Sequence, residues 1–332
     1  MSHVPLDPGA ARVVALARES GALGPEAGSP EQARVAFRIS RKALASQPVQ
    51  VSSVRDLEVV HPDGKLGLRC YRGWGTDDES QLPCLLFFHS GGWVSGDLDT
   101  HDNACRAIAS TARISVMAVD YRLAPEHPFP AAIEDAQAAY AYILEHASSL
   151  NIDATKIAVG GDSAGGNLAA VLTHILRDAG GHQPIAQVLL YPATDFAANT
   201  ASLEQFSFGP TLTKASLDWF ADQYLPVGED RLDWKASPLR APTFATLPAA
   251  YVVTCGHDPL CDEGAAYSAR LRDAGVSVRH QHYPGQIHGF LTMGGLIPES
   301  TVLIGEVAVF LDQAFSRFRG AEPRVSIISR CT

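Results

Sequence analysis

A mostly parallel α/β sheet with helices on both faces is the fold class this sequence predicts, and three observations predict it. Residues 83–89, 114–120, 156–159, 185–191 and 249–255 are apolar, β-branched runs without polar alternation, as expected of strands covered on both sides. Helical stretches separate them, and a repeating strand-helix alternation favours a parallel sheet with crossover helices. At 332 residues and 46% hydrophobic, the chain is long enough for one large domain with an insertion.

In order, residues 1–50 read mostly helical. The stretch 31–40 places Val35, Ile39 and their neighbours on one face, and an amphipathic helix of that kind must lie on something. A core begins at about residue 51. Residues 56–60 and 66–72 both alternate across the Asp63-Gly64 turn, which predicts an antiparallel opening hairpin. The buried strand 83–89 ends in Ser90-Gly91-Gly92-Trp93. The strand 114–120 leads into Tyr121-Arg122-Leu123-Ala124-Pro125-Glu126 and a loop with three prolines, followed by a helix over 131–146. The alternation continues to residue 192 and pauses over 193–243, which holds Phe206, Phe208, Trp219, Phe220, Tyr224, Trp234 and a helix over 214–225. An aromatic insertion between core strands reads as a cap packed against the N-terminal helix, with each aromatic by itself more readily part of the cap's own core than a substrate contact. A second part of the core spans 244–320, with a helix over 262–274, a last strand over 276–283 and a final helix over 300–319. The tail 321–332 suggests no partner.

The formal charge is −10 and no basic stripe is present, which argues against nucleic acid or an anionic membrane as partner. The N-terminus lacks a basic start followed by an apolar core, and no apolar run is long enough to span a bilayer, so a soluble cytoplasmic protein is expected. Cys70, Cys84, Cys105, Cys255, Cys261 and Cys331 form no C-x-x-C pair and are expected to be free, mostly buried thiols.

The chemistry centres on residues 160–167, Gly-Gly-Asp-Ser-Ala-Gly-Gly-Asn, set between a buried strand and a helix. Gly161-x-Ser163-x-Gly165 in that setting is a nucleophile elbow: small neighbours let strand and helix approach, and the sharp turn exposes the hydroxyl at a helix N-terminus. The motif alone also occurs in plain glycine-rich turns. A P-loop is excluded because no lysine follows, and a trypsin-like arrangement needs an all-β chain with its histidine ahead of the serine. The Ser90-Gly91-Gly92 turn reads as the second half of an oxyanion hole once paired with the elbow. His89 precedes the serine and is expected to orient that loop rather than act as base.

Two acids and two histidine groups compete for the remaining roles. Asp258 lies at the carboxyl end of a strand, where α/β sheets present functional groups, while Asp262 and Glu263 are placed to cap the following helix. His280 and His282 share one face of a strand and, lacking a third ligand, read as surface residues. His288 sits in a loop after the last strand. Asp258 and His288 are therefore chosen, giving the chain order Ser163, Asp258, His288.

Taken together, His89-Ser90-Gly91-Gly92-Trp93, Tyr121 to Glu126, Gly161-Asp162-Ser163-Ala164-Gly165, Asp258-Pro259-Leu260-x-Asp262 and His288-Gly289-Phe290 strongly resemble the bacterial hormone-sensitive-lipase-like carboxylesterases, over about residues 55 to 320. The resemblance implies an α/β-hydrolase fold with a helical cap and cleavage of short- to medium-chain carboxylic esters without a cofactor. It implies Ser163 as nucleophile, His288 as general base and then acid, Asp258 as the group that holds its imidazole, and the N–H groups of Gly91, Gly92 and Ala164 as the oxyanion hole. The family usually carries His-Gly-Gly-Gly. Ser90 replaces the first of those glycines and is expected to narrow the acyl entrance. An amidase or small-molecule deacetylase would share the same triad, and plant hormone receptors that resemble the family have lost its histidine, which this chain keeps. Relatives often pair as dimers through the last strand.

Overall fold

The computed structural model describes residues 4–21, 23–61, 64–77, 79–225 and 231–317. Two helices come first, α1 (Pro8–Glu19) and α2 (Pro30–Leu44). Ser29 starts α2 with a reciprocal cap, its hydroxyl accepting from the Gln32 N–H while the Gln32 side chain accepts from the Ser29 N–H. The core follows as β1 (Val51–His61), β2 (Gly64–Gly73), β3 (Leu82–Phe88), α3 (Asp102–Ala112), β4 (Ser115–Asp120), α4 (Ala131–His146), β5 (Ile152–Asp162), α5 (Ala164–Asp178) and β6 (Ala186–Leu190). Helices α6 (Ala201–Gln205) and α7 (Lys214–Tyr224) interrupt it before β7 (Ala249–His257), α8 (Cys261–Asp273), β8 (Val278–Ile287) and α9 (Glu299–Arg317).

The strands form one eight-stranded sheet in the order β1-β2-β4-β3-β5-β6-β7-β8. The β1–β2 and β2–β4 pairs are antiparallel, and every pair from β4 to β8 is parallel. Side chains of β3 divide between the faces by strict alternation. Cys84, Leu86 and Phe88 join the core under α4 and α5, and Leu85 and Phe87 join the core under α3 and α9. A strand with a core on each side has no position left for a polar residue, which is why these runs are continuously apolar.

Three expectations change. In α2, Val35 and Ile39 are 53% and 65% exposed, while Ala33, Arg34, Phe37 and Arg41 turn inward. The helix docks through arginines that find backbone carbonyls and carboxylates, so its apolar repeat does not mark the packed face. Strand β8 runs on to Ile287, four residues beyond its expected end, across Pro284-Gly285. An irregularity in its register with β7 accommodates the proline, and the Gly285 carbonyl accepts from the Asp7 N–H instead of a neighbouring strand. His280 is half-buried rather than on the surface, because its ring turns to the Thr254 hydroxyl at 2.9 Å, whereas His282, 3.0 Å from the same hydroxyl, is exposed as expected.

Among the described residues, no group of three metal-ligating side chains is found, and no helix is long and apolar enough to cross a membrane. Cys70, Cys84, Cys105 and Cys255 are buried free thiols and Cys261 is half-buried. Cys331, the tail from 321 and the last residues of the expected final helix lie outside the described residues.

Candidate active site

Five loops at the carboxyl edge of the parallel strands converge on one place. They follow β3, β4, β5, β7 and β8 and bring Gly91-Gly92, Tyr121-Arg122, Ser163, Asp258 and His288 respectively. Neighbouring parallel strands present successive loops on the same edge, which is how residues more than a hundred positions apart meet.

Ser163 occupies the turn between β5 and α5 with φ 57° and ψ −116°, a left-handed conformation for a residue with a side chain. Neighbouring glycines make that turn possible. A Cβ at Gly165 would stand 2.0 Å from the Phe88 carbonyl oxygen, and one at Gly161 would stand 2.4 Å from the Gly165 carbonyl carbon. The turn is pinned by the Ser163 N–H, which donates to the Leu190 carbonyl at 2.9 Å.

The Ser163 hydroxyl lies 2.8 Å from His288 Nε2, and His288 Nδ1 lies 2.7 Å from Asp258 Oδ2. A carboxylate only accepts, so Nδ1 carries the proton and donates to Asp258, leaving Nε2 as acceptor for the serine hydroxyl. Asp258 is fully buried, and its other oxygen accepts from the Leu260 N–H at 2.9 Å. The Tyr191 ring stands edge-on to the imidazole with centroids 5.0 Å apart.

The loop after β3 carries Gly91 and Gly92 at φ 128° and 63°. Neither position admits a side chain, since a Cβ at Gly91 would meet the Ser95 carbonyl oxygen at 2.1 Å and one at Gly92 the Phe220 ring of α7 at 2.3 Å. Within the described residues, the N–H groups of Gly91, Gly92 and Ala164 donate to no other protein group. Trp93 stacks on Tyr224 of α7 at 4.7 Å, so the end of α7 lies directly on this loop. Tyr224 thus packs against the core as well as within its own segment. Phe208, by contrast, is 96% exposed. Helix α7 also meets the N-terminal segment, where the Ser216 hydroxyl donates to Glu26.

His89 stacks on Tyr121 at 4.2 Å, and the Tyr121 hydroxyl donates to the His89 carbonyl. Burial, and then the nearby His101, push His89 down to about 4, so its ring is neutral. Ser90 is buried and its hydroxyl lies 3.1 Å from His101 Nε2. His101 Nε2 in turn lies 3.2 Å from the fully buried Asp162 carboxylate. Burial alone raises the Asp162 carboxyl, but His101, the Ser90 hydroxyl and the charge of Arg41 outweigh it and leave it below its usual range. The Tyr191 hydroxyl also donates to Asp162, at 3.3 Å, and accepts from the Leu291 N–H at 3.2 Å. It links the elbow to the loop that carries His288.

Sequence reasoning passed over His101, Tyr191 and Arg41. His101 and Tyr191 stand singly in otherwise ordinary stretches, and nothing in their spacing marks them. The three residues chosen from sequence as nucleophile, base and acid are within hydrogen-bonding distance in series, whereas Asp262 and Glu263 serve backbone N–H groups of Ser202, Thr194 and Asp195.

A family model described as alpha/beta hydrolase fold matches residues 85–292. The chain is 42% identical over 290 residues to the carboxylic ester hydrolase LipN of Mycobacterium tuberculosis, covering 84% of this chain and 76% of that one. It is 37% identical to an ethyl acetate hydrolase of Pseudomonas putida, with 87% and 92% covered. Among solved structures, an ester hydrolase from the metagenome of Lake Arreo, bound to a bipyridine phosphonate derivative, superposes with a TM-score of 0.90 at 39% identity, over 94% of this chain and 99% of that one. With this match and the fold above, the chain belongs to the hormone-sensitive-lipase-like carboxylesterases of the α/β-hydrolase superfamily and is a carboxylic ester hydrolase.

Proposed function

We propose that this enzyme cleaves short- to medium-chain carboxylic esters through an acyl-enzyme formed on Ser163, with His288 as general base and then acid and Asp258 orienting the imidazole. The observation that carries the reading is the unbroken hydrogen-bonded series from the Ser163 hydroxyl through His288 to Asp258, at 2.8 and 2.7 Å. Nε2 takes the hydroxyl proton as Oγ attacks the ester carbonyl. The new oxyanion is received by the N–H groups of Gly91, Gly92 and Ala164, each worth about 10²–10³-fold in rate. Nε2 then gives its proton to the departing alcohol, and water repeats the cycle on the acyl-enzyme.

Residues 1–50 and 193–243 act as the cap in this reading. The contact of Phe220 with Gly92 and the stack of Tyr224 on Trp93 support it, because they bring the insertion against the oxyanion loop. The relative named for ethyl acetate hydrolysis supports a short acyl group.

Hydrolysis of a p-nitrophenyl ester series from acetate to palmitate tests the proposal, with Ser163→Ala as control. Turnover is expected to concentrate at short chains and to drop by roughly 10⁴-fold or more in the variant. A folded wild type inert toward every ester would point to a ligand-binding protein. Turnover of amides in preference to matched esters would point to an amidase.

A further inference from the structure

Three arginines on one face of α2 reach three different loops of the site. Arg34, Arg38 and Arg41 are spaced i, i+4, i+7, which lines them along about 10 Å of helix. Arg34 Nε donates to the Val94 carbonyl at 2.8 Å, its Nη2 donates to the Ala124 carbonyl at 2.9 Å, and its fork also grips Glu126. Arg38 pairs with Asp97. Val94 and Asp97 belong to the loop that starts with Gly91-Gly92, and Ala124 and Glu126 to the loop after β4. Arg41 reaches the opposite side of the site, where Nη1 donates to the carbonyl of Gly289, the residue after His288, at 3.5 Å.

Arg41 is the unusual member. Its guanidinium lies 4.6 Å over the Phe37 ring, and its buried Nε has no hydrogen-bond partner among the described residues. Burial lowers its affinity for the proton, and the charge of Asp162 acts in the opposite direction. A cation in this position is costly to desolvate unless negative potential compensates it, and Asp162, immediately before the nucleophile, is the acid that supplies it here.

We propose that the arginine face of α2 is a positioning device for the reaction, and that Arg41 is the member that fixes the His288 loop relative to the elbow. The hydrogen bond to Gly289 holds the chain beside the imidazole, and the negative charge of Asp162, the residue before Ser163, offsets the cost of burying the same guanidinium. Arg34 and Arg38 fix the oxyanion loop to the same rigid helix. Removing Arg41 lets the imidazole drift from the serine hydroxyl, a displacement that costs rate in the chemical step and leaves substrate binding nearly intact. This inference rests on the triad assigned under the proposed function.

The test compares Arg41→Gln, Arg41→Lys and Arg41→Ala with Lys42→Gln, a change on the exposed face of the same helix. Each preparation is titrated with a serine-directed phosphonate so that kcat is expressed per competent active site, which removes any contribution from misfolded protein. Arg41→Gln is expected to lose roughly 10-fold in kcat with KM within about twofold, from the loss of one charged hydrogen bond and its alignment. Arg41→Lys is expected to recover part of the loss, and millimolar methylguanidinium to restore part of the Arg41→Ala rate, with Lys42→Gln equal to wild type. A per-site kcat unchanged in Arg41→Gln, a loss confined to KM, or an equal loss in Lys42→Gln would overturn the proposal. Wild type without turnover, or Ser163→Ala with full turnover, would instead bring down the triad assignment beneath it.

Discussion

Helices α5 and α2 flank the same group of loops and are held there by opposite physics. Every residue of α5 from Ala164 to His174 is buried, and its N-terminal turn is so close to β3 that Gly165 has no room for a methyl group. Of the 15 residues in α2 only Ala33 is buried, and the helix is attached by guanidinium groups that span the gap to carbonyls and carboxylates. Close packing is non-directional and tolerates no change in volume. Long-range polar attachment tolerates volume changes but requires particular atoms at particular distances. One helix is therefore specified by what it lacks, and the other by the few side chains it extends.

The largest effect that could break this contrast is expected at Gly165. Gly165→Val should abolish soluble, folded protein, because the branched side chain would have to occupy the position of the Phe88 carbonyl, and overpacking against backbone has no side chain that can yield. Recovery of a cooperatively melting variant with near-native Tm would show that α5 is not held by contact alone.

An intermediate effect is expected at Glu263, where a polar attachment lies inside the core. Its carboxylate accepts from the Thr194 and Asp195 N–H groups at the start of the insertion, yet burial raises it to about 8. Its proton is held more tightly in the folded chain than in the unfolded one, so its contribution to stability is complete below the unfolded value of 4.5 and is lost as pH rises from there to about 8. Wild-type Tm should accordingly decline over that window more than the Tm of Glu263→Gln, whose position 263 carries no titrating group. Parallel thermal melts at several pH values would check this, and identical slopes would show that the two N–H donors already keep the carboxylate ionised.

The smallest effect should come from the apolar pair on α2. Because Val35 and Ile39 face water, the double change Val35→Ser, Ile39→Ser is expected to alter stability by no more than about 0.5 kcal/mol per site, apart from small propensity terms. A loss of several kcal/mol in denaturant melts would mean that this face is covered in solution.

The same contrast explains what could be read from the sequence. Strands β3 to β7 announce themselves because both of their faces are core, and the elbow announces itself because glycine is compulsory on either side of Ser163. Asp258 and His288 were separable from Asp262, His280 and His282 by their places at the ends of strands. The docking face of α2 is not legible from its apolar periodicity, because Val35 and Ile39 face water. Arginines at 34, 38 and 41 are as regular as the apolar repeat but belong to a mode of attachment in which guanidinium groups reach across to the loops while Val35 and Ile39 face water. The extension of β8 was hidden by Pro284, which ordinarily argues against a strand and is tolerated here because the register is already broken.

The backbone at Ser163 also limits which nucleophiles the fold can host. At φ 57° and ψ −116° a single γ atom on an unbranched Cβ is accommodated, but a second γ substituent is pressed toward the main chain. Cysteine could take the position without altering the turn, whereas threonine, though it carries the same hydroxyl, could not. The turn thus admits nucleophiles carried on an unbranched Cβ and excludes the branched alcohol by its shape and not by its reactivity.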